Sequence, residues 1–422
     1  MTRLNVFLIW PIFLIYSLIP LTRAYALPLT LRDCLQQAQL HSLQSVQSLV
    51  NEEKAKAAYE ETSRARLPQL VGVANYEKSD DPVTQLPDAN KVVARLEQSG
   101  FPFSPAWARG NQRQYEWRAA TLAKLESTQD VAFLVKQLYF SILREKDAIE
   151  RLRQVEGQLG RLLGSVIPRY TIGRAPPFDL IKIRTSVSDL QRTQELTQAQ
   201  LASDQSTLAQ IIGVPANSAL ELTIVTKMPE LGEIAPSQLR LSDNPSLQVL
   251  EQQFLASRMG VTAARYGRVP SLIGSLEYGY SGQTADNLSL GWTVAVGLRL
   301  TVFDWGIVSA QVNQELANVS LAENRLEVER QKAISDLIQT HALANAHLSD
   351  QKRLSSLGNE SRQAALISID RYRRGGAGIL ETTDAVSLWI QTLLNERSAY
   401  YAYLTDLAKI DRLQGSKLYE DF

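Results

Sequence analysis

The chain has 422 residues, enough for two or three ordinary domains, and its 44 Lys plus Arg balance its 44 Asp plus Glu. A formal net charge of zero leaves no global basic field to draw in nucleic acid, so no nucleic-acid partner is expected. The single cysteine, Cys34, excludes an intrachain disulfide framework, and the 45% hydrophobic share is that of a folded chain.

Residues 1–26 read as a secretory signal. Arg3 supplies the positive start, residues 6–21 are an apolar run, and Ala24-Tyr25-Ala26 is an A-x-A cleavage site. As an uncleaved anchor the run is short, and Pro11 and Pro20 interrupt it. Cys34 lies well past the cleavage site, so it is not a lipoprotein's first residue and is expected as a small buried side chain. No later stretch approaches ~18 uninterrupted apolar residues, so the mature chain is expected to lack a membrane-spanning helix.

A helix is predicted over 30–66, then a strand over 68–76. Its partner falls near 91–103, a segment that carries Lys91, Arg95 and Glu97 and meets Pro102 and Pro105. That composition makes a poor lipid-facing strand, kept because the second half of the chain has a good one at the matching place. A proline-free helical rod follows over 108–167, then a turn and a helix over 178–212. Pro215, Pro229 and Pro236 mark 214–238 as a linker. The second half opens with a helix over 248–267. Leu272, Leu276, Tyr278 and Tyr280 then alternate with Ser275, Glu277 and Ser281. After a polar turn at 283–287, Leu290, Trp292, Val294, Val296, Leu298, Leu300 and Val302 alternate with small or polar residues. All sixteen prolines lie at or before Pro270, and 306–372 is an unbroken rod. Its Val312, Leu316, Val319, Leu326, Ala333, Leu337, Ala344 and Leu348 recur in steps of three, four and seven, a narrow coiled-coil-like seam. Such a rod reaches roughly 100 Å at 1.5 Å per residue. A last helix is predicted over 379–413.

The two halves are copies. Arg169, Tyr170, Gly173, Ala175 and Asp179 correspond to Arg371, Tyr372, Gly375, Ala377 and Glu381 at an offset of 202. Arg66, Pro68, Leu70, Gly72 and Tyr76 map onto Arg268, Pro270, Leu272, Gly274 and Tyr278 at the same offset. The expected division is signal 1–26, first repeat 27–213, linker 214–238, second repeat 239–414 and a polar tail 415–422. In each repeat a helix, a β-hairpin and a long helical hairpin follow one another, with Gly173 and Gly375 where a helix must end and reverse.

Strict alternation over ten or more residues is the length and pattern of a membrane-spanning hairpin, apolar to lipid and polar to a lumen. Periodicity alone also fits a half-buried hairpin of a soluble sheet. The signal segment and the rods favour the membrane, with Leu290, Trp292, Val294, Val296, Leu298 and Leu300 toward lipid and Trp292, Phe303 and Trp305 as interfacial aromatics.

Several marks then resemble the TolC family of outer-membrane efflux proteins. They are Leu29-Thr30-Leu31 opening the first helix, Arg66-Leu67-Pro68 and Arg268-Val269-Pro270 before the strands, Val302-Phe303-Asp304-Trp305-Gly306 after the last strand, and the two Tyr-x-x-Gly turns. Ile211-Ile212-Gly213-Val214-Pro215 is similar to the heavy-metal and multidrug branches. The resemblance implies a mainly α homotrimer with a small β part. Duplicated helical hairpins would form an α-helical barrel in the periplasm, joined to a shared twelve-stranded transmembrane β-barrel in outer-membrane lipid. It implies a passive exit duct of a tripartite efflux or type I secretion system, with a periplasmic adaptor and an inner-membrane pump of RND or ABC type as partners. Physics agrees: open sheet edges in lipid are forbidden, and copies around an axis remove them.

The resemblance also implies a gate at the periplasmic tip. Glu381 and Asp384 match the acidic constriction, and Tyr372 and Asp179 match a tyrosine-to-aspartate link between the hairpins. An arginine that reinforces this link in the family matches Ala377, which leaves Arg373 and Arg374 as the nearest substitutes. Acidic residues at a helix start also favour the macrodipole, so capping is the plainer role for Glu381 and Asp384. Arg169, Gly173, Arg174, Arg371, Arg373, Arg374 and Gly375 make up the turns, expected to meet the adaptor; a solvated charge run is the plainer account. No catalytic, metal or cofactor motif is present: His341 and His347 are six apart, and neither a phosphate loop nor a zinc spacing occurs. The rival function is a soluble periplasmic coiled-coil adaptor or tether.

Overall fold

The computed structural model describes residues 29–77, 89–98, 101–215, 220–223, 241–282 and 286–415. The expected signal, most of the linker and all but the first residue of the tail lie outside the described residues. In chain order the elements are α1 (Leu31–His41), α2 (Leu43–Arg64), β1 (Gln69–Glu77), β2 (Ala89–Gln98), α3 (Pro105–Thr171), α4 (Pro177–Ile212), α5 (Pro245–Arg265), β3 (Ser271–Gly282), β4 (Ser289–Arg299), α6 (Ile307–Arg374) and α7 (Ile379–Gln414). The 67-residue α3 and 68-residue α6 are the rods, each about 100 Å long. First residues of α2 and α5, α3 and α6, and α4 and α7 each differ by the offset of 202 seen between the sequence landmarks.

The predicted helix over 30–66 is two helices. Thr30 opens α1 with a capping box: its hydroxyl accepts from Asp33 N (3.2 Å) and its own N–H donates to Asp33 Oδ2 (2.9 Å). Ser42 then leaves helical geometry. Leu31, Cys34, Leu35 and Ala38 of α1 are buried against α3 and α4, whereas α2 runs along α3 with no buried residue. One straight rod does not make both contacts. Burial pushes the Cys34 thiol up to about 12, so it stays protonated as a core side chain.

The first rod outruns its predicted end at 167. Pro168 removes one intrahelical donor, but its carbonyl still accepts from Ile172 N (3.2 Å), so the helix closes one turn later. Both rods start on built caps. Ser104 Oγ accepts from Trp107 N (3.2 Å) before Pro105, and the Asp304 carboxylate accepts from Gly306 N (2.9 Å) and Val308 N (2.8 Å). The Val302–Gly306 motif thus carries the cap of α6. The arginines before the strands tie down the same turns: Arg66 donates to Trp107 O (2.8 Å), Arg268 to Ser309 Oγ (2.7 Å). Asn244 caps α5 through Leu247 N (3.1 Å), so the helix starts at Pro245, three residues before the predicted start, and Asn244 donates to Leu413 O (2.8 Å).

The strands form one antiparallel sheet ordered β1-β2-β3-β4. Leu70 pairs with Leu96, Ala94 with Tyr278, and Tyr278 with Trp292, so even-numbered residues share one face. β2 spans 89–98 and overlaps the segment expected near 91–103 over 91–98. It is a better strand than its composition suggests: Val92, Ala94 and Leu96 lie on the even face, and Lys91, Arg95 and Glu97 on the other. Leu300 falls just past β4, a correction to the expected strand. The last pair is Ser271 with Arg299, and the next residue opposite Leu300 is Pro270, which has no N–H to extend the ladder.

Two buried clusters hold the helices. One gathers Cys34, Leu35, Tyr139, Phe140, Leu208, Tyr403 and Leu404. The other, toward the turns, gathers Leu152, Leu159, Ile183, Ile369, Tyr372 and Trp389. Neither reaches the sheet. In α6 the buried residues begin only at Ala333, and Leu316, Leu321 and Val328 upstream are exposed, as are Leu43, Val46, Leu49 and Val50 on α2. The helices nearest the sheet pack in the order α2-α3-α5-α6, a row with two open sides rather than a closed globule.

Candidate functional site

Two places concentrate chemistry: the turns at the far end of the rods, and the sheet. At the turns, Gly173 (φ +72°) and Gly375 (φ +83°) adopt the left-handed conformation that reverses the chain. Arg174 N donates to Arg169 O (2.7 Å) and Gly376 N to Arg371 O (2.8 Å), the same closure in both repeats.

The side chains break that symmetry. Tyr372 is buried, and its hydroxyl donates to Asp179 Oδ2 at 2.7 Å, joining α6 to the first turn of α4. Burial, and then the facing carboxylate, hold the phenol's pKa above its ordinary value, so it is the donor. Arg169 crosses in the opposite direction, from the first hairpin to the second. Its Nη1 donates to the Tyr372 carbonyl (2.9 Å), its Nη2 to the Arg373 carbonyl, and its guanidinium lies 5.8 Å from the Tyr372 ring centroid. These are last-turn carbonyls of α6; that of Tyr372 also accepts from Gly375 N at 2.9 Å, so Arg169 adds a second donor there. The reinforcing arginine is therefore Arg169, not Arg373 or Arg374. Arg374 pairs with Asp370 (2.5 Å) on its own helix, and Arg373 is exposed.

Glu381 and Asp384 lie on the exposed side of the first turns of α7, three residues apart and away from the buried Thr382, Thr383 and Val386. Glu381 accepts from Arg371 Nη1 (3.2 Å), whose Nη2 donates to Gly376 O (2.9 Å). Arg174 is exposed in the first turn. Thr382 and Ser368, both buried, bond to each other at 3.2 Å and close α7 onto α6.

The sheet reverses the burial of a soluble one. Its apolar face is exposed: Leu70, Tyr76, Val92, Leu276, Tyr278, Leu290 and Val294 lie open, with Trp292 at 72% and Leu298 at 74%. On the opposite face Glu277 retains only 13% side-chain exposure between Lys91 and Arg95. A contiguous apolar face of this size, with the charges turned inward, marks contact with lipid or another apolar partner. Among the described residues no helix is long and apolar enough to cross a membrane.

A family model described as "Outer membrane efflux protein" matches residues 237–416. The outer membrane protein TolC of Escherichia coli is 22% identical over 90% of this chain and 81% of its own length. The pyoverdine export outer membrane protein OpmQ of Pseudomonas putida is 26% identical over 57% of this chain; that alignment spans 52% of OpmQ, about half the relative's length. The solved CmeC outer membrane channel of Campylobacter jejuni superposes with a TM-score of 0.83 at 14% identity, over 93% of this chain and 87% of that one. The fold is that of a solved outer-membrane channel, and the sequence relatives are outer-membrane proteins. In sequence the chain is similar to the TolC family of outer-membrane efflux proteins, whose description the family model over its second half carries.

Proposed function

We propose that the chain is the passive outer-membrane exit duct of a tripartite efflux or type I secretion system. Three copies close a twelve-stranded barrel in the outer membrane and a helical tube below it. The observation that carries this reading is the inverted sheet, apolar residues outward and charges inward, with β1 and β4 as its end strands. Unpaired edges cost several kcal/mol per group in lipid, and pairing β4 of one copy with β1 of the next removes them. The exposed apolar side chains on α2 and α6 stand at the two open sides of the helical row, where neighbouring copies would cover them.

The tip is the gate in this reading. Glu381 and Asp384 from three copies give six carboxylates around one opening, which favours cations. The Tyr372–Asp179 bond and Arg169 hold the two hairpins of a protomer together in the closed state. The turns with Arg174 and Arg373 receive a periplasmic adaptor, and an inner-membrane pump supplies energy and selects cargo. A soluble adaptor or tether is disfavoured because it would leave Trp292 and Leu298 in water.

Expression with outer-membrane fractionation tests the reading. Heat-resistant trimers that conduct ions in planar bilayers are expected; a soluble monomer would overturn it.

A further inference from the structure

We infer that Lys91, Arg95, Glu97 and Glu277 form a balanced charge ring inside the β-barrel wall, separate from the helical tip, whose balance sets the ion preference at that level. The inference rests on the duct reading above. All four side chains lie on the odd-numbered face of the sheet, the face opposite Trp292 and Leu298. Glu277 of β3 accepts from Arg95 Nε at 2.6 Å and from Lys91 Nζ, both on β2, and Arg95 Nη1 reaches Glu97 at 3.0 Å. Each carboxylate oxygen of Glu277 thus has its own cation.

The strand pair that carries this cluster is unlike its neighbours. β1–β2 and β3–β4 follow one another directly in the chain, whereas α3, α4 and α5 separate β2 from β3. The cluster therefore spans the junction between the two repeats. Close approach there is fixed by backbone: at Gly279, opposite Val93, a Cβ would fall 2.3 Å from Val92 O. The neighbouring inward positions are small or uncharged, with Ser275, Ser281 and Thr293 around Glu277. The other charged residues at odd-numbered strand positions, Glu77 and Arg299, stand at the ends of β1 and β4, away from Glu277.

Two cations and two anions per chain balance. A threefold barrel then has a ring of alternating charge at one level of its wall, roughly 100 Å from Glu381 along the rods. Fixed charges in a narrow, low-dielectric wall set ion preference, and a balanced ring passes either sign. Removing one member unbalances the ring by three charges per trimer.

The test is the ratio of potassium to chloride permeability of purified trimers in planar bilayers under a salt gradient. Glu277→Gln is expected to lower the ratio roughly twofold or more, and Lys91→Gln to raise it by a similar factor. Lys91→Gln leaves the Arg95–Glu277 pair intact, so it decides the matter if Glu277→Gln fails to assemble. The neutralised tip, Glu381→Gln with Asp384→Asn, is combined with each; shifts that multiply support two independent levels of ion preference. Conducting trimers whose ratio is unchanged in Lys91→Gln overturn the inference and leave the duct reading standing. Wild-type protein that neither inserts nor conducts overturns the duct reading itself.

Discussion

The two hairpin tips are built from one pattern and do different work. Arg169 and Arg371, Tyr170 and Tyr372, and Asp179 and Glu381 are matched positions. Tyr372 is 4% exposed and grips Asp179, whereas Tyr170 is 42% exposed. Arg169 reaches across to the last carbonyls of α6, whereas Arg371 folds back on Glu381 and Gly376 in its own turn. The link between hairpins therefore takes its arginine and aspartate from the first repeat and its tyrosine from the second. Duplication places the same side chains at both tips; the side-by-side packing of α3, α4 and α7 decides which copy faces the other hairpin.

Truncating the two tyrosines is the strongest test of that asymmetry. Tyr372→Ala empties a site in the buried cluster near the turns and is expected to cost about 3–5 kcal/mol, the range for large aromatic truncations. Tyr170→Ala, at an exposed site, is expected to stay within about 0.5 kcal/mol. Amide hydrogen exchange in the last turns of α3 and α6 reads the difference. Equal loss of protection in both variants would mean that the tips are equivalent.

Tyr372→Phe isolates the hydroxyl. The ring stays packed while Asp179 loses its donor, an expected loss of about 1.5–3 kcal/mol for a hydrogen bond to a charged group. Single-channel conductance should rise as the closed tip loosens, with Tyr170→Phe unchanged. An unchanged Tyr372→Phe channel would make the bond incidental to closure.

Much of this architecture was legible in the sequence because it rests on periodicity and on repetition. Rods, turns and strands each carry their own period, and two landmarks with one offset gave the duplication. The Ser42 break was not legible, because the apolar stripe of α1 continues in phase toward α2 and only the three-dimensional neighbours differ. Leu300 was overcounted because alternation outlives the ladder that Pro270 ends. The Lys91–Glu277 cluster was hidden by reading the charges of 91–103 as composition rather than by parity. At the tip, the Tyr372 and Asp179 pair was accessible by resemblance, and Arg169 was not, since its partners are backbone carbonyls that no motif displays.

A pH titration sharpens the same contrast with a smaller effect. The Tyr372 phenol has a raised folded-state pKa, caused first by burial and then by Asp179. A raised value means the phenol's contribution is fully present below the unfolded pKa of about 10 and is lost as pH climbs beyond it. The link should thus be constant through neutral and mildly alkaline conditions and weaken only above about pH 10. Wild-type conductance should show an alkaline rise that Tyr372→Phe lacks. The same rise in Tyr372→Phe would assign it to other groups.

The smallest expected effect on stability is at the Arg371–Glu381 pair. Both side chains are more than half exposed, at 55% and 54%. Exposed pairs contribute about 0.2–1 kcal/mol and are screened by salt, so Glu381→Gln should barely move the unfolding transition. On the proposed gate reading its effect belongs in ion preference, since the carboxylate faces solvent on the same side of α7 as Asp384. Glu381→Gln should lower cation preference at low salt and leave hydrogen exchange unchanged. A stability loss approaching that of Tyr372→Ala, with unaltered ion preference, would make Glu381 a structural cap of the turn and remove it from the conduit.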